Sequence, residues 1–95
     1  MRIYISGAIT NDDNYKQKFD NAEKNLINQG YEVINPSSLD TVLPSGLTYE
    51  EYMKIDLCLL DMCDAIYMLK GWENSCGANR EYGYALAKNM IIEKE

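Results

Sequence analysis

The sequence predicts a three-layer, doubly wound α/β fold: a parallel sheet of about four strands in the order 2-1-3-4, with helices on both faces. Three observations predict it. Short β-branched and aromatic runs alternate with segments of helical apolar spacing in the order β-α-β-α-β-α-β. Turn formers or helix caps punctuate the junctions. The 95 residues contain no repeat, low-complexity tract or linker, so residues 1–95 read as one small domain.

Each element has its own signal. RIYIS (2–6) is a strand ending at Gly7, and TNDD (10–13) can cap a helix from about Asn14. That helix spaces Tyr15, Phe19, Ala22 and Leu26 along one face, and Gly30 ends it. YEVINP (31–36) is a second strand stopped by Pro36, and residues 37–47 read as loop. Thr48 and Glu51 form a capping box for the next helix, with Tyr52, Ile55, Leu59 and Met62 as its inner stripe. DAIYML (64–69) is the third strand, and Ser75 is an N-cap for the last helix after the loop KGWENS. That helix ends near Lys88 and Asn89, and MII (90–92) is the fourth strand. Met53, Met62 and Met68 read as core.

Composition excludes several function classes. The net charge is −6, and the nine basic residues are scattered rather than striped, which disfavours a nucleic acid polymer as partner. No run of about 18 apolar residues spans a membrane. MRIYIS lacks the apolar core of a signal peptide, so a soluble cytoplasmic protein is expected. Histidine is absent, and Cys58, Cys63 and Cys76 have no CxxC spacing, so no metal site, cofactor or histidine triad is expected. Acid–base chemistry therefore falls to carboxylates, tyrosines or a cysteine.

In a doubly wound sheet, ligands bind beyond the carboxyl ends of the strands where the strand order reverses. For the order 2-1-3-4, that point lies between the first and third strands. The loops GAITNDD and KGWENSCG should meet there. Glu81 falls on the apolar face that Ala78, Tyr82, Ala85 and Leu86 define, and Asp56 lies beside the stripe of the preceding helix. Carboxylates avoid such faces unless paired. Two carboxylates beside one pocket suit glycosyl transfer, one acting at the anomeric carbon and the other managing a proton on the leaving group; on pattern alone, the commoner reading of each is a half-buried surface acid paired with a lysine or a backbone amide. The N–H groups of Ser75, Cys76 and Gly77 would face an anion or a sugar hydroxyl. Trp72 could stack on a base or cover the sheet edge, and Cys76 reads as a bland small residue.

The segments MRIYISGAIT, YMKIDLCLLDMCDAIYML and LKGWENSCGANREYGYALAKNMII together resemble the nucleoside 2-deoxyribosyltransferase-like superfamily. The likeness is nearest to its short bacterial and phage branch, marked by a GWE-x-S-x-G-A-x-x-E segment. The resemblance implies a Rossmann- or flavodoxin-like fold. It also implies cleavage or transfer at the N-glycosidic bond of a 2′-deoxynucleoside or its 5′-monophosphate through a glutamyl–sugar intermediate. By motif position, Glu81 resembles the nucleophile, Asp56 the carboxylate contacting base or sugar, and Tyr4 the tyrosine that orients the nucleophile. Ser75 matches a serine that contacts a 5′-phosphate, and Gly7 the glycine of the first loop. Ala8, Ile9, Trp72 and Gly77 complete the expected substrate contacts.

Two departures bear on the substrate. Thr10, Asn11, Asp12 and Asp13 stand where the monophosphate hydrolases carry an arginine, which leaves the 5′ group open. The sequence stops just after the fourth strand, where the transferases have a longer C-terminal part, so hydrolysis has room beside base exchange. The expected partner is a small nucleoside or nucleotide, with a homo-oligomer closing the site. The rival expectation is a nucleotide-binding module without turnover.

Overall fold

A computed structural model describes residues 1–10 and 12–95; Asn11, part of the predicted TNDD turn, lies outside the described residues. The strands are β1 (Arg2–Ser6), β2 (Glu32–Ile34), β3 (Ala65–Met68) and β4 (Ile91–Lys94). They form one parallel sheet in the order β2-β1-β3-β4, as the alternation predicts. The helices are α1 (Tyr15–Asn28), α2 (Tyr49–Asp61) and α3 (Cys76–Ala87). No helix among the described residues is long and apolar enough to cross a membrane.

Strand periodicity splits the core into two layers. Ile3 and Ile5 face Phe19, Ala22 and Leu26 of α1, while Tyr4 faces the layer that holds Leu60 of α2 and Ala78 and Ala85 of α3. Right-handed crossovers produce this division, because the step from β1 to β2 runs opposite to the later steps and must use the other face. The chain therefore diverges to opposite faces after β1 and β3, and a crevice opens between those strand ends.

The helix ends use the residues the sequence supplies. Gly30, at φ 95°, closes α1 in a Schellman motif: its N–H donates to the Ile27 carbonyl (2.9 Å) and the Tyr31 N–H to that of Leu26 (3.2 Å). Asn89 plays the same part after α3 at φ 56°. Thr48 and Glu51 form the capping box of α2, at 3.1 and 2.8 Å. Ser75 caps α3 by accepting the Ala78 N–H at 3.2 Å. Before α1, Asn14 makes no side-chain cap; Asp12 accepts the Asn14 N–H instead, at 3.0 Å.

Four expectations need correction. Residues 36–41 are a 3-10 helix, led by Pro36 and capped by Asn35, whose side chain accepts the Ser37 N–H. The inward axis of α2 runs through Met53 and Leu60, leaving Tyr52, Ile55 and Leu59 half-buried. Met62, read as core, is 53% exposed at the C-terminal end of α2. Leu86 is 52% exposed, because Ala85 takes the sheet-facing position beside it.

Gly7 marks the closest approach beside the crevice. A Cβ there would meet Cβ and Cδ1 of Leu69, each at 3.0 Å, and Leu69 is itself buried. Gly7→Ala should therefore destabilise the fold by about 1–3 kcal/mol, read as a lower urea midpoint with an unchanged m-value. An unchanged midpoint would mean that Leu69 yields freely.

Candidate functional site

A cavity of about 610 Å³ fills the crevice beyond the carboxyl ends of the strands. Gly7, Ile9 and Thr10 from the loop after β1 meet Asn74 and Ser75 from the segment after β3 and Cys76 at the start of α3. Gly77, Ala78 and Glu81 enter from α3, and Tyr49, Tyr52, Met53 and Asp56 from α2. The 3-10 segment contributes Leu39 and Asp40 as a further wall. Its size suits a small organic ligand.

Glu81 is 5% exposed and makes two short hydrogen bonds. Tyr4 Oη donates to Oε2 and Ser6 Oγ donates to Oε1, each at 2.6 Å. Tyr4 and Ser6 are fully buried and lie two residues apart, so the strand pleat aims both at one carboxyl group. Neither partner is charged. The neighbouring Arg80 points elsewhere, gripping Glu50 through two hydrogen bonds (2.9 and 3.2 Å) over the Tyr49 ring. Burial pushes the Glu81 pKa up to about 7; the Ser6 and Tyr4 donors oppose the rise, and the Asp56 charge adds to it. Burial and the same two carboxylates hold the Tyr4 hydroxyl well above its ordinary value, so Tyr4 remains a donor.

Asp56 occupies the inward-turned part of α2, half-buried between Met53 and Leu60 in the helical repeat. Burial, followed by the negative charge of Asp40, raises its pKa to about 6. Asp40 also accepts the Tyr15 hydroxyl at 2.6 Å, which ties the start of α1 to the 3-10 segment. A carboxylate has about four lone-pair sites. Two on Glu81 are filled, and the others remain for a ligand. Among the described residues, no group of three or more His, Cys, Asp or Glu is placed to hold a metal ion.

The fold brings Glu81, Asp56, Gly7, Ile9, Ser75 and Gly77 to one cavity, and Tyr4 reaches it through its hydrogen bond to Glu81. Ala8 lines a neighbouring recess. Trp72 lines neither. Its ring lies 4.7 Å from that of Tyr82 with Lys94 Nζ 5.7 Å above it, so it covers the β4 side of the sheet. Of the two readings the sequence allowed, base stacking and covering the sheet edge, these partners from α3 and β4 match the second. A Cβ on Gly77 would meet Met53 Sδ at 3.4 Å, which is ordinary contact, so crowding does not demand a glycine there.

Sequence reasoning missed Ser6, Asp40 and Tyr15. Period-two spacing from Tyr4 points to Ser6, whereas no local pattern links Asp40 with Tyr15 across 25 positions. Residues 1–93 match the model of a family described as a domain of unknown function (DUF4406), and the chain belongs to that family. No curated protein matches the chain.

Proposed function

We propose that this member of the DUF4406 family cleaves or transfers at the N-glycosidic bond of a 2′-deoxynucleoside or its 5′-monophosphate, as a nucleoside 2-deoxyribosyltransferase-like enzyme. The observation that carries this reading is the buried Glu81 carboxyl, oriented by Tyr4 and Ser6 in a cavity that also holds Asp56. A Glu81 oxygen attacks C1′ as the C1′–N bond breaks, and the bonding pair leaves with the base. Asp56 gives its proton to that base. Water or an acceptor base then attacks C1′ of the glutamyl ester, its proton passes to Asp56, and Glu81 leaves as a carboxylate. Tyr4 and Ser6 hold the carboxyl in place through both steps. A homo-oligomer, with a neighbour closing the open side of the cavity, belongs to the same proposal; sedimentation as a monomer would remove that part.

The two acids impose a pH signature. Turnover needs Glu81 ionised and Asp56 protonated, while their pKa values near 7 and 6 favour the reverse arrangement. Activity should peak between about 6 and about 7, falling on the acid side as Glu81 is protonated and on the alkaline side as Asp56 loses its proton. The experiment is chromatography of free base released from the common 2′-deoxynucleosides and their 5′-monophosphates across pH, with and without an acceptor base.

A second reading, binding without turnover, draws on one observation: both Glu81 oxygens already accept a buried hydroxyl. No base released from any substrate at any pH would favour it.

A further inference from the structure

Three carboxylates and three tyrosine rings line the main cavity: Asp40, Asp56 and Glu81, with Tyr15, Tyr49 and Tyr52. Among the described residues that line it, none is a lysine or an arginine. The acids differ in depth, from buried Glu81 through half-buried Asp56 to exposed Asp40. Among the described residues, none of the three forms an ion pair. The cations next to the cavity walls in the chain are engaged elsewhere. Arg80 grips Glu50 at 2.9 Å, and Lys16 reaches the Ser37 carbonyl at 3.5 Å and Asp20 at 3.9 Å. Arg80 also lies 5.6 Å from the centre of the Tyr49 ring, so one ring of the cavity wall already attracts a cation.

We infer that the main cavity takes a nucleoside whose base is itself a cation, an N-glycoside of a quaternised heterocycle such as a pyridinium or an N-alkylated purine. This rests on the reading of the cavity as a nucleoside site. A concave wall lined by charges of one sign concentrates ligands of the other, and tyrosine rings add attraction for a flat, weakly hydrated cation. A cationic base also removes a conflict of protonation states. Glu81 meets Tyr4 and Ser6 of β1 and the charge of Asp56, while Asp56 meets that of Asp40; with pKa values near 7 and 6, Asp56 ionises before Glu81 does. A neutral base needs the reverse, but a cationic one does not. As a Glu81 oxygen bonds to C1′ and the C1′–N bond breaks, the electron pair returns to the ring nitrogen and cancels its charge. The base departs neutral, and Asp56 supplies no proton. In the second step, water attacks C1′, its proton passes to the Asp56 carboxylate and then to solvent, and Glu81 leaves as a carboxylate.

Isothermal titration calorimetry of nicotinamide 2′-deoxyriboside against its 1,4-dihydro form tests this, since the two differ by one hydride and one positive charge. The protein is Glu81→Gln, which blocks turnover and leaves Asp40 and Asp56 as the charges of the cavity. The pyridinium form should bind at least about tenfold tighter, and added salt should shrink the difference. Adding Asp40→Asn should reduce that preference and Asp40→Asn/Asp56→Asn should abolish it, with the dihydro form held within about threefold throughout. Equal affinities, or a preference that survives both substitutions, overturn the cationic assignment while leaving the nucleoside site standing. If neither form nor any common 2′-deoxynucleoside binds, both the assignment and the nucleoside reading fall. With wild type, nicotinamide release should hold its rate above about pH 7; a fall there, parallel to that of neutral nucleosides, overturns departure without a proton. Circular dichroism of each variant establishes that the fold is intact.

Discussion

Glu81→Gln should lower base release by at least about a thousandfold, because it removes the atom that bonds to C1′. Ligand affinity should stay within about threefold, since a glutamine fits the same space and can still engage both hydroxyls. The accepting oxygen takes one hydroxyl proton, and the NH₂ donates to the other hydroxyl oxygen. The separation of turnover from binding is what marks a nucleophile. A residue that only braces β1 against α3 would lose both together, or neither. Asp56→Asn offers a contrast: a poor leaving base should suffer far more than one that leaves readily without a proton, whereas Glu81→Gln should slow all substrates alike. A Glu81→Gln enzyme that keeps its rate within about tenfold of wild type would assign the residue a structural role.

Much of the framework was legible because it rests on local rules. The capping box at Thr48, the glycine at position 30 and the strand runs each leave a short signature, and strand order follows from alternation and crossover handedness. Glu81 and Asp56 stood out for one reason: a carboxylate on an apolar face costs free energy and so demands a partner or a use. What escaped was of two kinds. The phase of α2 is weakly encoded, because Tyr52, Met53, Ile55, Leu57, Leu59 and Leu60 surround most of the helix, and a shift of one position turns it by about 100°. Sheet and α3 packing select the Met53–Leu60 axis, and that choice turns Asp56 toward the cavity. Contacts between distant segments escaped as well. Asp40 meets Tyr15 and acts on Asp56 only after a stretch read as loop winds into a 3-10 helix.

The cost of keeping Glu81 buried gives a second large effect, in stability rather than turnover. Its pKa rises from an ordinary 4.5 to about 7 on folding, so between those values the folded chain binds more protons than the unfolded one. Stability contributed at this position is therefore greatest below the lower value and is lost as pH rises through the upper one. At 1.36 kcal/mol per pKa unit, the loss approaches about 3 kcal/mol. Asp56, raised to about 6, acts in the same direction. Asp12, Glu50 and Asp61 act oppositely, with pKa values lowered by hydrogen bonds to Lys18, Arg80 and Tyr84; their contribution is present above the unfolded carboxylate range and is lost as pH falls below it. Comparing wild type with Glu81→Gln cancels these other groups. Glutamine cannot ionise, so the stability of the variant relative to wild type should improve by about 2–3 kcal/mol between about pH 5 and about pH 8, read by urea unfolding. A difference that stays flat across that range would show that the carboxyl ionises as easily inside the fold as outside it. It would also remove the basis for the expected activity optimum between the two acids, because a Glu81 with an ordinary pKa would be charged throughout. A variant that is more stable at alkaline pH yet inactive would instead show a fold that retains a buried charge at a cost to its own stability.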